Sequence, residues 1–268
     1  GWQKEYKELL GKDKSLFDLT TFKDDEHKYG TEYFLITDEN GSYLKDGQRN
    51  YIIRPRDLCH KDGTWHRSVL VVVVDEKGKL LRQQRSFNKD RFPGAFDLVV
   101  GGHHGLEVSP VQTAQNELEE EIFNGRYNID LSRLIQITRD AEIEHQWTYP
   151  DLQDNEWATV FIYRINEKEK AKVSYQIEEV EPSGCGWVSL EEELGKFRNN
   201  PEPYAAGTIR LLTNEKLSYY IGLIMELFKA RVNSSSPVES VNKQEIYFIE
   251  ESGNLPISKI GEKAKRLY

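Results

Sequence analysis

Apolar and polar positions along this chain repeat in ways that predict both strands and helices. Tyr33, Phe34, Leu35 and Ile36 form a short apolar run closed by Asp38, Glu39, Asn40 and Gly41, which predicts a strand ending in a turn. Residues 68–74 and 79–85 read as two strands around Asp75, Glu76, Lys77 and Gly78, a β-hairpin pattern. Pro93 and Gly94 break the chain, residues 96–100 predict another strand, and Gly101 and Gly102 end it. The clearest helix follows: Ser109 suits a cap, Pro110 the first helical position, Gln112 completes a capping-box spacing, and good helix formers run from Ala114 to Ile122. Further strands are predicted over 134–138, 159–165 and 186–188. A helix opens at Ser189, and another over 216–232 sets Leu217, Tyr220, Ile221, Ile224 and Leu227 along one stripe.

This order of strands and helices predicts an α+β fold. Residues 1–31 lack a clear period and read as an N-terminal extension, 32–232 as one domain with C-terminal helices, and 233–268 as a linker and tail opening on Ser-Ser-Ser-Pro. With 38% hydrophobic and 30% charged residues, the chain has the balance of a soluble globular protein. Its net charge of -9 argues against an extended nucleic-acid surface, which needs many cations on phosphates, while leaving room for a local basic pocket. The apolar run at 70–74 is one strand long, so no membrane span is expected. Cys59 and Cys185 are far apart, which excludes a disulfide framework and points to a reducing compartment. The expected location is the cytoplasm, or an organelle if a targeting segment once preceded Gly1.

The predicted helix at 110–122 carries the first candidate chemistry. Glu117, Glu120 and Glu121 stand at i, i+3 and i+4, on one face and within reach of a common point. A bare acidic helix face is commonly just solvated, but three close carboxylates are also what a hard divalent cation with oxygen ligands requires, Mg²⁺ above all.

Around these glutamates stand Gly101-Gly102-His103-His104 and Glu107, then Asn116 immediately before Glu117. The segment resembles the Nudix box, G-x5-E-x7-R-E-U-x-E-E-x-G-U, with the second gap one residue too long, Asn116 in the place of the Arg and Phe123 in the place of the last Gly. A wider resemblance supports it. Arg56 through Arg67, containing His60, Gly63 and His66, is followed by Arg85-Ser86-Phe87-Asn88-Lys89-Asp90, by Pro93-Gly94 and by Gly102-His103. These are similar, in order, to motifs of the isopentenyl-diphosphate-isomerase-like branch of the Nudix superfamily, over roughly residues 32–190.

The resemblance implies an α/β/α sandwich of the Nudix type with a mixed sheet and extensions at both ends. It also implies a second set of metal ligands, His60, His66 and His103 with Asp154 and Glu156, whose mixed donors suit Mn²⁺ or Zn²⁺ better than Mg²⁺. Arg85 and Lys89 fall where the isomerases hold the diphosphate, a chemically sound pairing of guanidinium and ammonium with phosphate oxygens. Trp147 and Tyr149 are candidates to stack on a base or cover an apolar tail, with plain packing as the alternative.

An isomerase of this branch has a Cys just before its Gly-His pair, and here that position is Gly101, whereas Glu117 is kept as in hydrolytic members. The expected function is therefore Mg²⁺- or Mn²⁺-dependent hydrolysis of a diphosphate linkage in a nucleotide, a cofactor or a prenyl diphosphate, with Glu117, Glu120 and Glu121 as catalytic groups. The alternatives are an isopentenyl-diphosphate isomerase and a catalytically weak nucleotide- or RNA-binding Nudix fold. The expected partner is a small-molecule diphosphate, and a homodimer is allowed.

Overall fold

The computed structural model describes residues 32–47, 51–89, 91–105, 109–139 and 142–233; the extension over 1–31, the tail from 234 and Glu107 lie outside the described residues. The fold is α+β, and none of its described helices is long and apolar enough to cross a membrane. A two-stranded sheet pairs β1 (Tyr33–Leu35) with β2 (Ile53–Pro55). The main sheet runs β10 (Gly186–Val188), β4 (Leu80–Gln84), β3 (His66–Asp75), β9 (Gln153–Ile165) and β7 (Leu134–Gln136). β5 (Phe96–Asp97) is added on β4, β6 (Val100–His103) on β3 and β8 (Ile143–Thr148) on β9. Within residues 32–232, read from the sequence as one domain, packing separates two units. The first holds residues up to 69 with 102–113 and 138–159; the second holds 70–101, 114–137 and those from 160 on.

In the first unit, α1 (Arg56–Asp62) follows β2 directly and stops at Gly63, whose φ of 70° is left-handed. Buried Arg54 clamps this end: its guanidinium lies 2.8 Å from Asp62 and donates to Thr64 Oγ1 at 3.0 Å. The Thr64 hydroxyl in turn donates to Asp62 at 2.7 Å, so the chain leaves α1 in one fixed direction toward His66. Phe34, Ile36, Ile52 and Cys59 form a buried cluster with Leu44 against it. β8 and β9 make a hairpin in which Thr148 faces Gln153 and Ile143 faces Ala158. Along β8 exposed Glu144, Gln146 and Thr148 alternate with more buried Ile143, His145 and Trp147, the period-two pattern of a strand covered on one side.

In the second unit the apolar run ending β3 is buried throughout, as a central strand requires. Its hairpin is closed by Asp75, whose Oδ1 accepts from the Lys77 and Lys79 amides at 2.9 and 2.8 Å, with Gly78 supplying the positive φ. The predicted strand over 96–100 is interrupted. The Leu98 amide donates to Thr208 Oγ1 and the Val99 amide to Asp97, so side chains take the N–H groups a ladder would use. β6 then restarts at Val100 and runs through Gly101 and Gly102 instead of ending there. α2 (Pro110–Glu121), whose residues from Ala114 belong to this unit and whose start belongs to the first, begins where predicted, with Ser109 Oγ accepting from the Gln112 amide at 3.1 Å. The remaining helices are α3 (Glu167–Lys170), capped by a reciprocal Asn166 and Glu169 pair, then α4 (Leu190–Asn199), α5 (Ala206–Thr213) and α6 (Glu215–Asn233).

Two glycines separate conformational need from conformational freedom. A Cβ on Gly63 would sit 2.7 Å from Gln153 Oε1 and 2.8 Å from Asn155 Nδ2 in the left-handed region, whereas a Cβ on Gly195, inside α4, meets nothing within 4 Å. Gly63→Ala is expected to destabilise by at least about 1–2 kcal/mol, and Gly195→Ala to stabilise by about 0.5–1 kcal/mol. Urea unfolding of the two variants checks this; equal midpoints would show that the cap after α1 does not constrain the chain.

Candidate functional site

Three imidazoles converge in the first unit. His60 comes from α1, His66 opens β3 and His103 closes β6; with Asp154 of β9 their ligand atoms all lie within 4.8 Å of one another. Asp154 Oδ1 lies 3.6 Å from His60 Nε2 and 3.5 Å from His66 Nε2, and Glu156 Oε1 lies 3.3 Å from His103 Nε2 and 3.9 Å from His66 Nε2. Phe34, fully buried, packs against all three rings, near-parallel to His66 and His103 with centroids 4.6 and 4.4 Å away. The outer groups are held as well. His66 Nδ1 donates to the Thr64 carbonyl at 2.9 Å, which leaves the Nε2 lone pair facing the centre, and the Ser68 hydroxyl donates to Glu156 Oε2 at 2.5 Å.

Burial, together with the neighbouring His103 and His66, pushes His60 down to about 3; burial and His103 push His66 down to about 4. Both are therefore neutral at physiological pH and able to donate a lone pair. For His103 burial also acts downward, but Glu156 by hydrogen bond and charge, with Asp154 and Glu32, raises it above the usual range. Buried Nε2 atoms of His60 and His66 make no hydrogen bond within the protein, an expensive arrangement unless a cation accepts them. The residues fit a divalent ion, and their nitrogen and oxygen donors suit Mn²⁺ or Zn²⁺.

The second unit holds a different, all-oxygen group. Burial raises the carboxyl of Glu121 well above the usual range, and Glu117, Asp97 and Glu179 raise it further while Arg85 acts the other way. Asp97 is itself raised by burial, against the Thr208 hydroxyl at 2.6 Å and Arg85, whose Nη1 is 3.9 Å away. Lys89 is ion-paired with Glu179. These carboxylates influence one another's charge, but among the described residues only the histidine group brings its ligand atoms within 4.8 Å of one another.

Sequence reasoning anticipated much of this but not all. His60, His66, His103, Asp154 and Glu156 are brought together, and Glu117 and Glu121 share one neighbourhood with Arg85. Glu120 is exposed, on the outer side of α2. Of the His pair only His103 enters the centre; buried His104 pairs its Nδ1 with the Tyr43 hydroxyl at 2.7 Å. Trp147 faces Asp154 and His145 faces Glu156 across the β8–β9 hairpin, so these rings share a face with the two carboxylates. Tyr149 continues the row, 5.9 Å from Trp147. Asp97, Glu179, Ser68 and His145 were missed. Asp97 alone left a local trace, as a lone acid inside the apolar stretch Phe96–Val100.

Residues 64–207 match the NUDIX domain family. Nudix hydrolase 3 of Arabidopsis thaliana is 39% identical over 79 residues, 29% of this chain and 10% of that protein. An isopentenyl-diphosphate Delta-isomerase of Serratia proteamaculans is 22% identical over 63% of this chain and 87% of its own length. The Nudix hydrolase YfcD of Shigella flexneri is 26% identical over 60% of this chain and 76% of its own. The chain thus spans only a tenth of the Arabidopsis relative but most of the two bacterial ones.

If the imidazoles hold an ion, Mn²⁺ or Zn²⁺ at a hundredfold over Kd should stabilise the fold by about 2.7 kcal/mol. Asp154→Asn keeps the shape and removes the charge, and should abolish most of that gain. Thermal unfolding with and without metal reads both, and an unchanged metal response in the variant would displace the site.

Proposed function

The chain belongs to the NUDIX domain family, and on that premise we propose that it hydrolyses the phosphoanhydride bond of a small-molecule diphosphate, X-diphosphate, with the help of a divalent metal ion. The observation that carries this reading is Glu121, a half-buried carboxylate beside Glu117, Asp97 and Glu179 with Arg85 as the balancing cation. Such a group of like charges is relieved either by a proton on one carboxyl or by a bound cation. Glu117 and Glu121 are the proposed ligands, with Mg²⁺ or Mn²⁺ as the ion; Glu120, exposed, has the smaller part. When bound, the ion supplies charge neutralisation on phosphate oxygens and makes a water more acidic.

The protein's own groups do the rest. Arg85 is aimed by its Nε, which donates to the Arg91 carbonyl at 3.2 Å, leaving its remaining N–H groups to Asp97 and to phosphate. Lys89 adds a compact positive charge from the same turn. A carboxylate of this group that does not hold the ion is suited to take a proton from water. The histidine centre is proposed as a second divalent site of Mn²⁺ or Zn²⁺ character, with Trp147 and Tyr149 as the aromatic surface of its sheet face.

The isomerase reading has support in the Serratia relative and in the histidine set, but its thiol is missing. Gly101 stands where it would be. Cys59 is completely buried, and burial pushes its thiol far up, so it is closed to substrate as an acid or base. Incubation with isopentenyl diphosphate is expected to give no dimethylallyl diphosphate.

Turnover of a panel of nucleoside, cofactor and prenyl diphosphates with Mg²⁺ or Mn²⁺, followed by phosphate release, tests the proposal. Glu121→Gln should lower kcat by a factor on the order of 10² or more, and Glu120→Gln by much less. Arg85→Ala should act mainly on KM. A protein that binds diphosphates with no metal-dependent turnover would instead be a binding module.

A further inference from the structure

The ammonium assigned above to the diphosphate is already in use. Lys89 is ion-paired with Glu179, and both side chains are partly exposed, at 27% and 38%. The pairing is built into the backbone. The Ser86 amide donates to the Glu179 carbonyl at 2.9 Å, Arg85 bridges to Val180, and the amides of Glu179 and Val180 both donate to the Gln176 carbonyl, closing a turn. On the other side the Lys89 amide donates to the Ser86 carbonyl and the Asn88 amide to the Ser86 hydroxyl. Two turns are thus stapled to each other at Ser86, and each presents one end of the ion pair.

From this arrangement we infer that Glu179 is a built-in competitor for the substrate's phosphate. Its carboxylate occupies Lys89 until a phosphate oxygen displaces it, so it sets how tightly the diphosphate is held. This inference rests on the reading that Lys89 holds the diphosphate. A carboxylate and a phosphate oxygen are the same kind of partner for an ammonium, both anionic acceptors, and Lys89 cannot serve both at full strength. Because the backbone staple keeps Glu179 close, the displaced carboxylate stays near and rebinds as soon as the phosphate leaves, which favours product release. The affinity seen from outside is the intrinsic one reduced by the fraction of time Lys89 is released. Arg85 differs: its carboxylate partner Asp97 is held by Thr208 and by the Val99 amide, and its contact with Arg85 is the longer one at 3.9 Å.

Glu179 also adds negative charge near Glu121, so its removal has a general electrostatic effect that must be separated from competition. Exposed Glu178, its chain neighbour, provides the control with the same change of net charge. The probe is inorganic pyrophosphate, titrated calorimetrically at fixed free Mg²⁺ into wild type, Glu179→Gln, Glu178→Gln, Lys89→Ala and the Lys89→Ala, Glu179→Gln double variant. Glu179→Gln should bind pyrophosphate about two- to fivefold more tightly, the range an exposed ion pair supports. Lys89→Ala should bind it more weakly, and in its background the Glu179 change should give no gain. An equal gain from Glu178→Gln, or a gain that persists without Lys89, would reduce the effect to net charge and overturn the competition. Unchanged or weaker binding in Glu179→Gln, with Lys89→Ala still impaired, would overturn the inference and leave the assignment of Lys89 intact. Wild-type affinity in Lys89→Ala would remove both.

Discussion

Burying a group that can carry charge costs several kcal/mol or more unless a partner compensates it, and the way each unit meets that cost separates its scaffold from its chemistry. Some buried carboxylates are fully provided for. Glu193 has Arg82, Lys196 and the Tyr204 hydroxyl; Glu169 has the hydroxyls of Tyr127 and Tyr163 and closes a cap with Asn166; Asp75 has Lys170 at 2.8 Å and two turn amides. These sites fix α4, the start of α3 and the β3–β4 hairpin. Elsewhere compensation from the protein falls short. Glu121 faces three carboxylates and one guanidinium, and His60 and His66 bury ring nitrogens that accept nothing from the protein. Other buried polar atoms, Arg82 Nε, Gln83 Nε2 and Trp157 Nε1 among them, also lack a hydrogen bond within the protein, but among the described residues only the three imidazoles with Asp154 bring their donor atoms within 4.8 Å of one another.

The departures from the Nudix box have local physical reasons. The final glycine of the box would serve a chain leaving the helix, and here that exit comes later. Asn124 and Gly125 take the positive φ values, 53° and 65°, and the Gly125 amide donates to the Glu119 carbonyl at 2.8 Å. Phe123 is therefore free to be a core residue, fully buried with its ring 4.9 Å from that of Tyr127. Glu119, outside the acidic group, accepts from Gln115 and from the Ile129 amide, so it ties the loop after α2 back to the helix. At the Arg position the exchange is more consequential. Asn116 brings no charge, and Arg85, from the turn after β4, is the guanidinium that acts on Glu121.

What could be read from the sequence follows how local its causes are. The start of α2 was legible because Ser109, Pro110 and Gln112 encode a cap within four residues, and the β3–β4 hairpin because Asp75 and Gly78 encode a turn. α1 was hidden, since seven residues give too little periodicity and its end is fixed by Arg54 and Thr64. β8 was hidden because its exposed side is polar and its covered side is mostly aromatic, so it lacks the apolar run that announced β3. The histidine set was legible only through ordered motifs, for its members lie on α1, β3, β6 and β9. Glu179 left no local signal: its place depends on the Ser86 amide and on the bridge from Arg85 to Val180, pairings decided by the tertiary fold.

The two centres also differ in what their ligands permit. An all-carboxylate group keeps a hard ion exchangeable and able to share its coordination with phosphate oxygens, which suits an ion that arrives with the substrate. Imidazoles fixed by ring packing on Phe34 and by a carbonyl behind His66 hold their ring nitrogens in one geometry, which would suit an ion that stays. Cys59 belongs to this fixed base: it lies one residue before His60 and packs with Phe34, Ile36 and Ile52. A thiol there contributes as a small apolar group.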